Sequence, residues 1–199
     1  MGLSANSCLT ISLLRKMANG MASLLQHGIL YAVDRPVDIR SFLLSLPGFS
    51  AEYIEKTVQT IFINGTAADN LDRPLGCGET LALSAAMPGL AGAIFRRHGR
   101  HSSLRSQTAI KEQPGNHGAG YITLKLFNSV AIDRVFDLMS QGILIHSQAY
   151  YDYAVRQEKN FQPPVEFAFA GRPLSYAEML HAVRQMPLVK IQLCLLPAL

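Results

Sequence analysis

Residues 96–120 constrain the fold of this chain most strongly, because they show almost no apolar periodicity in an otherwise regular sequence. Glycine, serine, glutamine, asparagine and arginine dominate this stretch, a composition typical of a linker or a long loop. The chain has 199 residues, enough for one large domain or two small ones. The sequence therefore predicts an α+β protein with two domains. They are an N-terminal domain over 1–95 and a C-terminal α/β domain over 121–199, joined by a basic Gly/Ser-rich linker over 96–120.

The N-terminal part begins with a predicted amphipathic helix over residues 8–25. Leu14, Met17, Met21 and Leu24 follow the spacing of one helical face. Such a helix would either pack on the core of its own domain or form a dimer contact.

Turn and capping signals organise the segment that follows. Ser50 is a good N-cap, and the dipeptide Asn64-Gly65 favours a tight turn because both residues tolerate positive φ. The predicted elements are a strand over 29–33, helices over 37–46 and 51–58, and strands over 60–63 and 80–85.

This segment carries short motifs found in one known family. They are Ile61-Phe62-Ile63-Asn64-Gly65, then Leu71-Asp72 with Pro74-Leu75, and then Gly78-Glu79-Thr80-Leu81-Ala82-Leu83. Together they resemble the second half of the ubiquitin-like β-grasp sulfur carriers, the small subunit of molybdopterin synthase and the thiamine sulfur carrier. The resemblance covers residues 37–92 and implies a β-grasp-like fold with protein partners.

The chain departs from that family at the position of the reactive end. Sulfur carriers end in a free Gly-Gly, whose carboxylate is adenylated and converted to a thiocarboxylate. Here the corresponding stretch, Pro88 to Phe95, is followed by about a hundred further residues. The resemblance therefore implies the fold and not the carrier activity, unless the chain is cleaved near Gly89 or Gly92.

The C-terminal part alternates between strand and helix signals. Strands are predicted around residues 122–126, 143–145, 165–169 and 189–195. Helices are predicted over 132–139 and from Ser175, which forms a capping box with Glu178. The order strand, helix, strand, strand, helix, strand suits a ferredoxin-like α/β sandwich.

Composition adds expectations about assembly and location. Charged residues make up only 16% of the chain against 49% apolar residues. Globular domains usually contain about 25% charged residues, so we expect part of the surface to be covered in a homo-oligomer. The three cysteines show no metal-ligand or disulfide spacing, and no segment has the length of a membrane span or the order of a secretory signal. We expect a cytoplasmic protein that does not contact a membrane.

The positive charge of the chain is local. No acidic residue occurs between Glu79 and Glu112. Arginine binds phosphate oxygens well, so the arginines of this region are candidates for anion binding: Arg96, Arg97, Arg100 and Arg105. No aromatic residues are interleaved for base stacking, so nucleic acid is not the expected partner.

Three histidines of the same region could offer metal ligands: His98, His101 and His117. Neighbouring arginines would repel a cation, so no metal site is predicted. Cys77, between two glycines of a turn, is a candidate reactive thiol, although no base or cation adjoins it in sequence. No catalytic motif or cofactor motif is present.

Aromatic residues of the C-terminal part are candidates for a ligand pocket or an interface: Tyr150, Tyr151, Tyr153 and Phe161. With no catalytic set in the sequence, we predict a non-catalytic binding or assembly module that acts through protein–protein contacts. The alternatives are an accessory protein or processed carrier in sulfur or molybdenum-cofactor metabolism, and an anion- or nucleic-acid-binding protein that uses the arginine-rich segment.

Overall fold

The computed structural model describes residues 8–85, 89–97, 99 and 118–197, and it confirms the α+β class. In chain order the strands are β1 (Cys8–Leu13), β2 (Ile29–Val33), β3 (Val37–Asp38), β4 (Thr60–Ile63), β5 (Thr66–Ala67), β6 (Pro74–Leu75), β7 (Thr80–Ser84), β8 (Gly120–Phe127), β9 (Ile143–His146), β10 (Glu166–Phe169), β11 (Arg172–Leu174) and β12 (Leu188–Leu195). The α-helices are α1 (Ile39–Leu44), α2 (Ala51–Lys56), α3 (Gly89–Phe95), α4 (Asn128–Gln141), α5 (Ser147–Arg156) and α6 (Tyr176–Arg184), and 3₁₀ helices cover Arg15–Gln26 and Glu158–Phe161.

The chain divides into two compact units. Unit 1 combines Met1–Ile29 with Arg134–Leu199, and unit 2 is Leu30–Asp133. Unit 1 thus combines two segments that are distant in the sequence, an arrangement that the sequence does not predict. Residues 98 and 100–117 of the predicted linker lie outside the described residues, so the linker stays a prediction.

Unit 1 is built on a mixed sheet in the order β11-β10-β1-β12-β9. Its centre is a parallel pair: β1 runs alongside β12 with Cys8 opposite Lys190 and Leu13 opposite Leu195. β1 pairs antiparallel with β10, β10 with β11, and β12 with β9. The first described strand therefore lies between two strands from the end of the chain.

Strict alternation of side chains gives this sheet one buried face. In β1, Leu9, Ile11 and Leu13 are fully buried, whereas Cys8, Thr10 and Ser12 between them are partly exposed. β12 alternates in the same way, with Val189, Ile191 and Leu193 inside. A half-exposed sheet of this kind needs helices on only one face.

The helix predicted over 8–25 is wrong in its first part. Residues Cys8–Leu13 form β1, and a 3₁₀ helix begins only at Arg15. The alternation of Leu9, Ile11 and Leu13 has the period of a strand, and pairing on both sides overrides the helical spacing that follows. The strands predicted in the C-terminal part are confirmed, with β8 in unit 2 beside β7. The ferredoxin-like and β-grasp-like assignments stay predictions.

Unit 2 contains a sheet in the order β2-β8-β7-β4-β5, with β3 paired separately to β6. The predicted turn after β4 is confirmed: Asn64 and Gly65 have φ of 50° and 81°, and the hairpin pairs Ile63 with Thr66. The Asn64 side chain also accepts a hydrogen bond from the Thr80 amide at 2.8 Å. Ser50 caps α2 by accepting from the Tyr53 amide, as predicted.

Candidate functional site

A pocket in unit 1 gathers the side chains that best suit ligand binding, and local sequence signals shape it. Ala170 and Gly171 take positive φ and turn β10 back into β11. Directly afterwards, the predicted capping box starts α6: the Ser175 amide and hydroxyl both donate to Oε2 of Glu178 at 2.8 Å. The hairpin and the first turn of α6 thereby form one wall of the pocket.

Phe161 is the centre of an aromatic cluster beside this wall. Its ring centroid lies 5.9–6.3 Å from those of four other aromatic rings: Tyr150, Tyr153, Phe167 and Tyr176. These spacings are within the range that favours aromatic pairs. Three of the four predicted aromatic residues thus come together, whereas Tyr151 instead lies 5.0 Å from the guanidinium of Arg184.

Tyr153 fixes the cluster to the 3₁₀ helix Arg15–Gln26. Its hydroxyl donates to the carbonyl oxygen of Gly20 at 2.8 Å, and the Asn160 amide donates to the same oxygen at 2.8 Å. A side chain at position 20 would come within 3.2 Å of Asn160 Oδ1, so glycine permits this close approach. The contact explains the glycine in the middle of a helical segment.

Tyr150 contributes a fully buried phenol to the same cluster. Among the described residues its hydroxyl has no hydrogen-bond partner. Burial first, and then Tyr153 and Tyr176, raise the pKa of the Tyr150 phenol well above its ordinary value. Tyr150 therefore stays neutral and serves the packing of the cluster.

The open side of the cluster forms the aromatic pocket, a cavity of about 710 Å³. Its described lining residues are Ser12, Glu158, Phe161, Gln162, Pro163, Val165, Glu166, Phe167, Ala168, Pro173, Leu174, Ser175 and Tyr176. Phe161 and Phe167 are 3% and 6% exposed and form its base, whereas Tyr176 is half-buried and offers more of its ring. The volume is in the range of small-molecule sites.

The Tyr176 hydroxyl is engaged by the protein itself. It donates to the carbonyl oxygen of Ala154 at 2.9 Å, which fixes the ring. Burial, followed by the charges of Glu158 and Tyr151, raises the pKa of this phenol. The ring therefore presents an uncharged aromatic surface at neutral pH.

The charges lining the aromatic pocket are negative. Glu158 and Glu166 are exposed, and no lysine, arginine or histidine is found among the described lining residues. The Glu158 charge is close enough to the Tyr176 phenol to contribute to its raised pKa. Glu166 and Phe167 are neighbours in β10 and point to opposite faces of the sheet, so Glu166 borders the pocket from the other side.

The predicted arginine site falls partly outside the described residues, since Arg100 and Arg105 are not described. Arg96 is exposed, whereas Arg97 is buried and 9% exposed. The Arg97 guanidinium donates to the carbonyl oxygens of Ile54 at 3.3 Å and Val58 at 3.2 Å. This guanidinium stabilises the end of α2, and anion binding by the segment stays a prediction.

Cys77 is a free, half-buried cysteine in unit 2. Its sulfur lies 3.9 Å from the carbonyl oxygen of Ala119, and a Cβ atom at Gly120 would overlap it. Elsewhere in unit 2, the guanidinium of Arg73 is bonded to Glu79 at 2.8 Å, with 12% and 9% of the two side chains exposed. This buried ion pair was not predicted from the sequence, and the reactive thiol stays a prediction.

The described part of the chain contains neither a metal-ligand cluster nor a membrane-spanning helix. No group of three or more histidine, cysteine, aspartate or glutamate residues is placed to hold a metal ion there, and His98, His101 and His117 are not among the described residues. No helix of this part is long and apolar enough to cross a membrane.

Known proteins offer no guide to the site. No protein-family model, no curated protein and no solved structure matches this chain. Its function must therefore be argued from its own residues.

Of the lining residues, sequence reasoning found Phe161 and missed Phe167 and Tyr176. The alternating pattern places Phe167 in a strand, and it lies in β10. Tyr176 directly follows Ser175, the residue that caps α6. The signal that could have found Tyr176 is its position in the first turn of a helix directly after a hairpin, where a large ring can pack against that hairpin.

Proposed function

We propose that this protein is a non-catalytic binding module that engages a protein partner through the aromatic pocket of unit 1. The observation that carries the proposal is a cavity of about 710 Å³ that opens onto the rings of Phe161, Phe167 and Tyr176. Aromatic side chains dominate the energetics of recognition sites because they offer large, rigid surfaces.

The pocket suits side-chain recognition better than the addition of a strand. β11 is the last strand at its end of the sheet in unit 1, and it has three residues, of which Pro173 is the middle one. Proline has no backbone N–H to donate, and short edge strands with proline resist pairing with another chain. A partner would therefore insert side chains between this hairpin and the segment from Glu158 to Val165.

Peptide display against the full chain tests the proposal. Selected heptapeptides should bind the wild type and lose binding to Gln162→Trp, which places a bulky side chain at the rim of the pocket. Gln185→Trp is the matched control, because Gln185 is also exposed but does not line the pocket. Tyrosine-ring NMR signals, with Tyr176 assigned through Tyr176→Phe, should shift on binding.

Two outcomes of this experiment would reject the proposal. Selected peptides that bind both tryptophan variants equally well would place binding elsewhere on the chain. A selection that yields no peptide able to shift the Tyr176 signal would show that the pocket does not receive peptides.

We also propose that the protein is a homo-oligomer in the reducing cytoplasm. The low content of charged residues supports the oligomer. So do the large apolar side chains that are close to half exposed: Leu44, Ile132, Val155 and Leu195. Light scattering coupled to size exclusion measures the mass directly. A mass of 21.8 kDa, that of one chain, over the micromolar range would contradict the oligomer.

A further inference from the structure

The aromatic pocket carries a charge pattern that selects the chemistry of its ligand. Its aromatic rings have electron-rich faces, and its described charged residues are the two glutamates Glu158 and Glu166. A ligand carboxylate or phosphate would meet the repulsion of both carboxylates without a compensating cation. A positively charged group would be attracted by the rings and by the negative charges of the lining.

Neither carboxylate is used by a described ion pair. Glu158 and Glu166 are both exposed, and the described ion pairs of unit 1 do not include them. Lys159 adjoins Glu158 in sequence but does not line the pocket. The Arg172 charge acts on Glu178, whose carboxylate is bonded within the capping box. The two pocket glutamates thus keep their charges available for a ligand.

One of these carboxylates belongs to the same cavity lining as the accessible ring of Tyr176. Glu158 is the first residue of the 3₁₀ helix that ends at Phe161, and its charge acts on the Tyr176 phenol. The Tyr176 hydroxyl donates to the carbonyl oxygen of Ala154 at 2.9 Å, which holds the ring in this position. An aromatic face with a carboxylate at its edge is the arrangement that binds guanidinium and alkylammonium groups.

We propose that the aromatic pocket binds a basic side chain, arginine or lysine, presented by the partner protein. This inference rests on the proposed function and names the chemistry of its ligand. The basic group lies against the Tyr176 ring with Glu158 as its counter-charge. The rest of the cavity takes the neighbouring residues of the peptide.

A set of heptapeptides that differ only in the central residue tests this chemistry by NMR titration of the Tyr176 signal. The central residue is arginine, its neutral analogue citrulline, or glutamate. The arginine peptide should bind roughly 10- to 25-fold more tightly than the citrulline peptide, because about fivefold from cation–π attraction is multiplied by roughly two- to fivefold from the ion pair with Glu158. The glutamate peptide should bind more weakly than either.

Single substitutions at exposed positions separate the contribution of Glu158 from general charge effects. Glu158→Gln should weaken the arginine peptide roughly two- to fivefold, the range of an exposed ion pair, and leave the citrulline peptide unchanged. Lys159→Gln is the control because it alters the neighbouring charge outside the pocket, and it should not weaken the arginine peptide.

The outcomes distinguish this inference from the function on which it rests. If citrulline or glutamate peptides bind the pocket as tightly as the arginine peptide, or if Glu158→Gln has no effect, the assignment of a basic ligand is wrong while the pocket remains a binding site. If neither this set nor the display-selected peptides shift the Tyr176 signal, the proposed function fails as well.

Discussion

The buried ion pair between Arg73 and Glu79 gives the sharpest test of what stabilises unit 2. One carboxylate oxygen of Glu79 accepts from Arg73 at 2.8 Å, and the other accepts from the Gly76 amide at 2.8 Å. Replacing Glu79 by leucine would leave a buried guanidinium with the Pro74 carbonyl oxygen, at 2.9 Å, as its remaining described acceptor. Breaking a buried pair from one side costs about 3–5 kcal/mol, and we expect this loss in the free energy of unfolding.

The double variant Arg73→Met with Glu79→Leu should be more stable than Glu79→Leu alone. With both charges removed, the loss that remains is the hydrogen bond to the Gly76 amide. An amide left without its acceptor costs about 1–3 kcal/mol. The two substitutions should therefore be strongly non-additive, and the double variant should lose about 1–3 kcal/mol in total.

Native-state amide hydrogen exchange in β7 and β8 is the suitable measurement, because it reports on unit 2 alone in a chain of two units. The exposed pair Lys56–Glu52 is the matched control: its nitrogen–oxygen distance is also 2.8 Å, but 74% of each side chain is exposed. Substitutions there should change stability by at most about 0.5 kcal/mol. The reasoning would be refuted if Glu79→Leu lowered the free energy of unfolding by less than about 1 kcal/mol and if the effects of Glu79→Leu and Arg73→Met were additive.

Three further predictions concern other parts of the chain. Gly120→Ala should destabilise unit 2 by about 1–3 kcal/mol in the same exchange measurement, because the new methyl group would overlap the Cys77 sulfur. Adding Cys77→Ala should recover much of the lost stability, and a double variant without this recovery would contradict the overlap. Hydrogen bonds from Ser175 lower the pKa of Glu178 below its usual 4.5, so carbon NMR titration should show this pKa rise in Ser175→Ala. Because the pKa of Glu178 is lower in the folded state, its ionised carboxylate stabilises the fold. This stabilisation is present above pH 4.5 and is lost as the pH falls through the lowered pKa. The buried Tyr150 phenol should stay protonated above pH 10 until unit 1 unfolds. An absorbance titration that showed every tyrosine ionised near pH 10 in the folded protein would contradict this prediction.

Local signals in the sequence predicted local structure well. The Asn64-Gly65 turn and the Ser175–Glu178 capping box are each determined by residues within a few positions of one another, and both are found where the sequence places them. The same holds for alternating strands such as β12, whose buried residues are spaced by two.

Features that depend on distant partners were not predicted. Leu9 and Ile11 alternate as in a strand, but the run is short and only its pairing with β12 and β10 makes it the centre of a sheet. Arg97 was assigned to a basic linker, yet its guanidinium binds carbonyl oxygens about forty positions earlier in the chain. The aromatic pocket likewise needs the fold to bring Phe161 to Tyr176.

The parallel pairing of β1 with β12 has a consequence for the order in which the protein is made. A ribosome completes β1 long before β12, its parallel neighbour. Unit 2 lies between them in the chain and can gather all its strands earlier. Until β12 has emerged, the apolar side chains of β1 lack their final neighbours, so β1 needs protection from aggregation during that interval.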